Sequence, residues 1–290
     1  MASMIWEERP DGLRAPAMIC AFGGWNDAGE AATSAVNFLA SSLDAYRFAH
    51  LDPEEFYDFQ ATRPQIKLVE GEAREITWPM VEIWAAKAPR APRDLILLTG
   101  PEPSMRWQTL CSSVVDLADA LGVQMIVSLG ALLADVPHTR PVPMVGVTSD
   151  EALAERVGLS PTSYEGPTGI TGVLHSACEA SGIPSASLWA SVPHYVAAAP
   201  NPKASLALVR KLESLVGISF DATDLERAAS DYERRVSSAV AGDDEVRQFV
   251  ERLEQASDAD GSDLESGEVP SGDVLAREFQ RFLNQRGDDA

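Results

Sequence analysis

The segment Ala17–Glu30 constrains the fold more than any other part of this chain of 290 residues. An apolar run ends at Gly23 and Gly24, and an Ala-rich stretch with helical spacing begins a few residues later. Asp27 and, three positions on, Glu30 have the spacing of a capping box, in which two polar side chains bond the free amides at a helix start. The segment therefore predicts a strand, a tight turn and a helix, which together form the first βα unit of an α/β domain.

Apolar runs and helical patterns alternate along the following part of the chain. Several runs lack an alternation of apolar and polar residues, which is typical of strands covered on both faces. The order βαβα favours a mainly parallel sheet between helices, to which residues 58–84 add antiparallel strands. We therefore predict a three-layer α/β/α sandwich with a C-terminal helical appendage. The predicted strands are Ala17–Phe22, Val81–Ala86, Leu95–Thr99, Gln124–Val127 and Ala186–Val192, and the predicted helices are Asp27–Leu43, Ser104–Leu121 and Gly169–Ser181.

Beyond Val192 the sequence predicts only helices. Lys203–Leu215 has one amphipathic pattern, and Thr223–Gln255 has the pattern of a helical hairpin interrupted at Gly242. These features predict an α/β core domain over residues 1–200 and a helical hairpin appendage over residues 201–256.

The last part of the chain predicts a linker and one more helix. Residues 257–270 combine acidic residues with Gly and Ser, a composition that buries too little apolar surface to order itself. Val274–Arg286 regains a helical stripe, so residues 271–286 are predicted to be a docking helix that needs an apolar surface to lie on. The stripe consists of Leu275, Phe279, Phe282 and Leu283.

Composition and charge exclude several classes of function. The chain has 44 acidic and 23 basic residues and a net charge of −21, so the phosphate backbone of a nucleic acid would be repelled. The first residues are acidic where a signal peptide is basic, and no apolar run has the length of a membrane span. Cys20, Cys111 and Cys178 are isolated in apolar surroundings, which indicates buried, reduced thiols. We expect a cytoplasmic protein with no nucleic-acid or membrane partner.

Motifs for catalysis, metal binding and cofactor binding are missing from the sequence. It contains no nucleophile elbow, no Gly-rich phosphate loop with a nearby Lys, and no pair of Cys or His at metal-binding spacing. The four His residues are far apart along the chain. No catalytic residue, metal site or cofactor is therefore predicted.

Three loops that each lead into a predicted helix are the candidate ligand-binding loops. Loops that follow parallel strands lie at the edge where α/β proteins build their sites. A helix start next to glycine can hold an anion through its free amides, but the same residues can equally form a tight turn. Both interpretations stay open from the sequence. The candidate residues are Gly23, Gly24, Asn26 and Asp27 in the first loop, Glu102 and Arg106 in the second, and Tyr164, Glu165, Gly166, Thr168 and Gly169 in the third.

Several blocks of sequence resemble one known family. GWNDAGEAA at Gly24–Ala32, GPEPSMRW at Gly100–Trp107, YEGPTGITGVLH at Tyr164–His175 and SLWASVPHYV at Ser187–Val196 are similar to the bacterial branch of the proteasome assembly chaperone family. The resemblance extends nearly over the whole chain, to the terminal PSGDVLAREFQRFL.

The resemblance implies a fold, a partner and a way of assembling. It implies a sandwich akin to purine nucleoside phosphorylases and related hydrolases, and self-association into a homo-oligomer such as a trimer. It also implies a non-enzymatic assembly factor whose partners are proteasome subunits or precursors. The alternative is a small-molecule binding protein, or a hydrolase or phosphorylase-type enzyme, with a polar pocket at the carboxyl ends of the strands.

Overall fold

A computed structural model describes residues 4–69, 73–148, 154, 166–196 and 199–263. Within these ranges, ten strands and seven α-helices follow one another, with a short 3₁₀ turn at Ala28–Glu30 before the first helix. The strands are β1 (Met4–Trp6), β2 (Ala17–Gly23), β3 (Tyr46–Leu51), β4 (Gln65–Val69), β5 (Ala73–Thr77), β6 (Glu82–Ala86), β7 (Leu95–Pro101), β8 (Met125–Ala134), β9 (Met144–Thr148) and β10 (Ser185–Pro193). The helices are α1 (Ala31–Ser42), α2 (Pro53–Phe56), α3 (Trp107–Leu121), α4 (Ile170–Ala180), α5 (Pro202–Val216), α6 (Thr223–Ala241) and α7 (Asp244–Asp263).

Eight of these strands form one sheet in the order β1-β3-β6-β7-β2-β8-β10-β9. The four strands β7, β2, β8 and β10 run parallel to one another. The strands outside them, β6, β3 and β1 on one side and β9 on the other, are antiparallel to their neighbours. Strands β4 and β5 pair only with each other among the described residues and form a separate hairpin.

Both faces of the sheet are covered, as the unbroken apolar runs predict. In β2, Ala17, Ile19 and Ala21 contribute to the core cluster that includes α1 and α5. The intervening residues Met18, Cys20 and Phe22 contribute to the cluster that includes α3 and α4. The three-layer α/β/α sandwich is therefore confirmed.

The predicted strands are present in the predicted order. Of the antiparallel strands expected in residues 58–84, β6 joins the sheet, whereas β4 and β5 form the separate hairpin. Strands β1, β3 and β9 were not predicted. β1 and β9 lie at the two edges of the sheet, and most of their residues are only partly buried. β3 mixes buried and partly exposed residues without regular alternation and includes Arg47 and His50. β1 and β9 are apolar, with the sequences MIW and MVGVT, but they have only three and five residues.

The bounds of the C-terminal helices differ in part from those of the predicted segments. α5 lies in the helical layer, where Leu208, Val209 and Leu212 are fully or almost fully buried in the core beside α1. α6 and α7 are interrupted at Gly242, as predicted, but α7 continues to Asp263, into the segment expected to be a linker. The predicted docking helix at residues 271–286 lies outside the described residues. The division into domains stays a prediction.

Candidate functional site

The first two candidate loops lie side by side at the carboxyl edge of the parallel strands. Gly23, at the end of β2, is in register with Pro101 at the end of β7. The backbone amide of Glu102 donates to the carbonyl of Gly23 at 2.7 Å. On the other side of β2, the amide of Ala131 in β8 donates to the carbonyl of Asn26 at 2.8 Å. The first loop is thus held between the ends of its two neighbouring strands.

The side chain of Glu102 joins the second loop to the other two. Its Oε1 accepts from the amide Nδ2 of Asn26 at 2.6 Å and from the backbone amide of Ile170, the first residue of α4, at 2.9 Å. Asn26 is completely buried, and its Oδ1 accepts from the hydroxyl of Thr171 at 3.4 Å. The structure therefore brings residues of all three loops together, and we call Asn26, Glu102, Gly169, Ile170 and Thr171 the edge cluster.

Gly169 lets the third loop approach the first. A Cβ atom at this position would lie 2.4 Å from Oδ1 of Asn26, well inside the distance that side-chain atoms tolerate. Its φ of −93° is open to any residue, so the requirement for glycine comes from the close approach and not from backbone conformation. The glycine in this loop is thus explained by contact with Asn26.

Asp27 stabilises the start of α1, but not in the way that the capping-box spacing predicted. Its carboxylate accepts from the amide of Ala32 at 2.6 Å, from the amide of Thr33 at 3.3 Å and from the hydroxyl of Thr33. Glu30 has a positive φ of 51° and precedes α1, so a 3₁₀ turn separates Asp27 from the helix that it caps. Burial raises the pKa of Asp27, although the hydrogen bonds from Thr33 and Ala32 act in the opposite direction.

The other candidate residues lie outside the edge cluster. Arg106 pairs instead with Glu55 of α2, at 2.6 Å between Nη1 and Oε2, and its guanidinium lies 5.9 Å from the centre of the Phe56 ring. Gly24, with a φ of 118°, forms the turn that precedes Asp27. The remaining candidates do not contribute side chains to the cluster: Gly23 is a strand residue, Gly166 and Thr168 are exposed, and Tyr164 and Glu165 lie outside the described residues.

At the carboxyl edge of the parallel strands, two carboxylates accept hydrogen bonds at the starts of two helices. The first amides of a helix and its dipole attract an anion, which is why these loops were candidates for binding a ligand. At α4 that anion is the carboxylate of Glu102, and at α1 it is the carboxylate of Asp27. Both helix starts are therefore stabilised by the chain's own side chains, and the contacts of Glu102 also hold the three loops against one another.

A second polar cluster, which the sequence did not predict, lies after β8. His138 is almost fully buried, and its Nδ1 is 2.7 Å from the hydroxyl of Tyr195 while its Nε2 is 3.0 Å from the hydroxyl of Ser237 in α6. Nearby, Arg140 pairs with Asp258 of α7, at 2.7 Å between Nε and Oδ1. These contacts attach α6 and α7 to the sheet. No local pattern signals them, because the partners of His138 are 57 and 99 positions away.

Burial lowers the pKa of His138, and the positive charge of Lys203 lowers it further. Glu233 and Glu254 act in the opposite direction. The imidazole is thus favoured in its neutral form, in which it can bond Tyr195 on one side and Ser237 on the other.

The described residues contain neither a metal-binding cluster nor a helix that could cross a membrane. Within the described ranges, no three His, Cys, Asp or Glu side chains lie close enough together to hold a metal ion. Among the helices that the structure describes, none is both long and apolar enough to cross a membrane.

The fold defines this protein as an α/β sandwich, and a family model matches most of the chain. Residues 21–240 match the model of the PAC2 family. The chain therefore belongs to the PAC2 family.

Solved structures agree with this assignment. A PAC2 family protein from Streptomyces avermitilis is 47% identical, with a TM-score of 0.75, over 81% of this chain and 99% of that chain. The proteasome-assembly chaperone homologue of Mycobacterium tuberculosis is 46% identical, with a TM-score of 0.75 and the same coverage of 81% and 99%. An archaeal proteasome activator from Pyrococcus furiosus is 20% identical, with a TM-score of 0.65 over 82% of this chain and 99% of that chain, and shares the fold. No curated protein matches this chain.

Proposed function

We propose that this protein is a non-enzymatic assembly factor that binds proteasome subunits or their precursors in the cytoplasm. The observation that carries the proposal is the similarity to the Mycobacterium tuberculosis proteasome-assembly chaperone homologue, which is 46% identical over 99% of its chain. Identity at this level over a whole chain supports a related function, whereas the fold alone would not.

The edge cluster supports an assembly role over the alternative of an enzyme or small-molecule binding protein. A phosphorylase-type or hydrolase-type site at this edge would need carboxylates or helix amides that are available to a ligand. Here Glu102 binds Asn26 and the start of α4, and Asp27 binds the start of α1. These two carboxylates are thus already bonded by the chain's own groups, and so they serve to hold the loops and the helix starts in place.

The net charge supports a protein partner with a basic surface. A charge of −21 raises the rate at which such a partner is captured, and salt weakens this effect by screening. Contact between apolar surfaces is far less sensitive to salt. The family also supports self-association, which size-exclusion chromatography with light scattering measures on the full chain.

The proposal is tested by a native pull-down of the tagged full chain from its own cytosol at low and high salt, followed by mass spectrometry. We expect unassembled or unprocessed proteasome subunits, enriched over the mature particle and recovered more strongly at low salt. Recovery of the chain alone at both salt concentrations would contradict the proposal. A parallel thermal-shift measurement with phosphate, ribose and nucleosides tests the alternative. A shift that Glu102→Gln abolishes would favour the small-molecule function.

A further inference from the structure

A cavity of about 220 Å³ lies between the N-terminal segment and helix α3. Met4 and Trp6 of β1 line one wall, and residues 9–11 continue it. The opposite wall is one face of α3, formed by residues at helical spacing from Ser113 to Leu121. α3 begins at the carboxyl edge of the parallel strands, so its middle and its end lie away from the edge cluster. The cavity is therefore separate from the candidate site.

Buried and half-buried side chains make the walls of this cavity apolar. Met4 and Trp6 lie on the same face of β1, because they are two positions apart, and both pack against the core cluster that includes α3. Leu117 is 3% exposed and belongs to that cluster. An apolar cavity of about 150 Å³ accommodates benzene, so the larger volume here accommodates one ring with a short chain.

Two carboxylates without a counterion line the exposed part of the cavity. Asp11 and Asp116 are both exposed, and neither forms an ion pair with another residue in the described part of the chain. Arg9 also lines the cavity, and its guanidinium lies 5.2 Å from the centre of the Trp6 ring. Two carboxylates and one guanidinium give the lining a net negative charge.

Two further features of the cavity favour a positively charged ligand. The face of an indole ring attracts cations, and the contact between Arg9 and Trp6 is an interaction of this kind. The carboxyl end of a helix carries partial negative charge, and the last turn of α3, which includes the lining residues Ala120 and Leu121, contains no basic residue. A cation therefore fits the cavity better than a neutral or anionic molecule of the same shape.

We propose that this cavity binds a small amine that consists of one apolar ring and a protonated amino group on a short chain. The ring lies between Trp6 and Leu117, and the ammonium group pairs with the carboxylates of Asp11 and Asp116. This inference does not depend on the proposed function, and no residue of the edge cluster takes part in the binding.

An NMR titration of the ¹⁵N-labelled full chain with 2-phenylethylamine tests the proposal. At an ordinary ligand efficiency, the nine non-hydrogen atoms of this probe correspond to a Kd of about 10 mM or lower. 2-Phenylethanol has the same ring and chain without the charge, and we expect it to bind about fivefold more weakly. The anion 3-phenylpropionate should bind more weakly still. Absence of saturable binding of the amine, or equal affinity for the amine and the alcohol, would overturn the proposal.

A matched pair of substitutions in α3 tests the position of the site. Asp116→Asn removes one carboxylate of the lining, so we expect it to weaken binding of the amine by about threefold to fivefold and to leave that of the alcohol unchanged. Asp119→Asn is the control, since Asp119 is exposed on the same helix but does not line the cavity. The amine should also shift the signal of the Trp6 indole N–H. Equal effects of the two substitutions, or shifts confined to other parts of the protein, would overturn the assignment.

Discussion

Glu102 and Asn26 are 76 residues apart in sequence, yet Nδ2 of Asn26 donates to Oε1 of Glu102 at 2.6 Å. The same carboxylate oxygen accepts the first amide of α4, so one side chain connects three loops. This contact has a structural role, because the carboxylate accepts hydrogen bonds both from the buried side-chain amide of Asn26 and from the backbone amide at the start of α4.

Replacement of Glu102 by Ala should destabilise the fold. The change leaves the buried Nδ2 of Asn26 and the amide of Ile170 without their acceptor, which costs about 1–3 kcal/mol. Urea denaturation measures the loss. Glu54→Ala removes an exposed carboxylate and is the control, with an expected change of less than about 0.5 kcal/mol. Equal stability of the two variants would contradict the role of Glu102.

Gly169→Ala should also destabilise the protein, by about 1–3 kcal/mol, because the new methyl group would overlap Oδ1 of Asn26. Gly23→Ala is a matched control at the same edge, since its methyl group would lie 3.7 Å from Thr33 and make an ordinary contact. The effects of Asn26→Ala and Gly169→Ala should be less than additive, because removing Asn26 makes room for the methyl group. Additive losses in a double-mutant cycle would refute the contact.

Stability should decrease as the pH falls through the ordinary pKa of histidine. Since burial lowers the pKa of His138 below 6.5, the unfolded chain binds a proton there more readily than the folded chain. The contribution of this residue is therefore complete above its unfolded pKa and is lost as the pH falls toward its folded pKa.

The effect of His138 can be isolated by comparing pH dependences. His138→Gln should lower stability at about pH 8, through the loss of its two hydrogen bonds, and should lose less stability than the original protein between about pH 8 and pH 5. Lys203, Glu233 and Glu254 are unchanged in the variant, so the difference reports the imidazole. If the free energy of unfolding depended on pH in the same way in both proteins, His138 would not contribute to the pH dependence of stability.

The three cysteines should react only when the protein unfolds. Burial raises the pKa of Cys20, raises that of Cys111 to about 12 and raises that of Cys178 to about 11, and all three thiols lie in the core. The reactive thiolate is therefore scarce at neutral pH, and reagents are excluded. A thiol-disulfide exchange dye should label the protein in urea but not in buffer. Rapid labelling in buffer would show that one of the thiols is accessible.

The layers of the fold could be predicted from the sequence because the signals for them are local. The apolar run Ala17–Phe22 has no alternation, since both faces of β2 are buried, and its position before Gly23 marks the first βα unit. The edge strands β1 and β9 are also apolar, with the sequences MIW and MVGVT, but they are short and were not predicted. Their existence depends on pairing with distant strands, which no local pattern reveals.

The candidate site could be predicted only in part. The sequence located Asn26, Glu102 and Gly169 in loops at one edge, and the structure brings them together. It could not show that Glu102 occupies the start of α4, because that contact joins positions 68 residues apart. Arg106 was grouped with these residues by its place in the chain, but its side chain pairs with Glu55 instead. Whether the loops bind a ligand stays a prediction.

The assembly of proteasome rings tests the central claim most directly. Purified, unassembled proteasome α-subunits from the source organism are mixed with the full chain, and native mass spectrometry records complexes and rings over time. The account predicts a complex of this protein with unassembled α-subunits and faster appearance of rings, both weakened at high salt. No complex at micromolar concentrations and an unchanged rate of ring formation would contradict it.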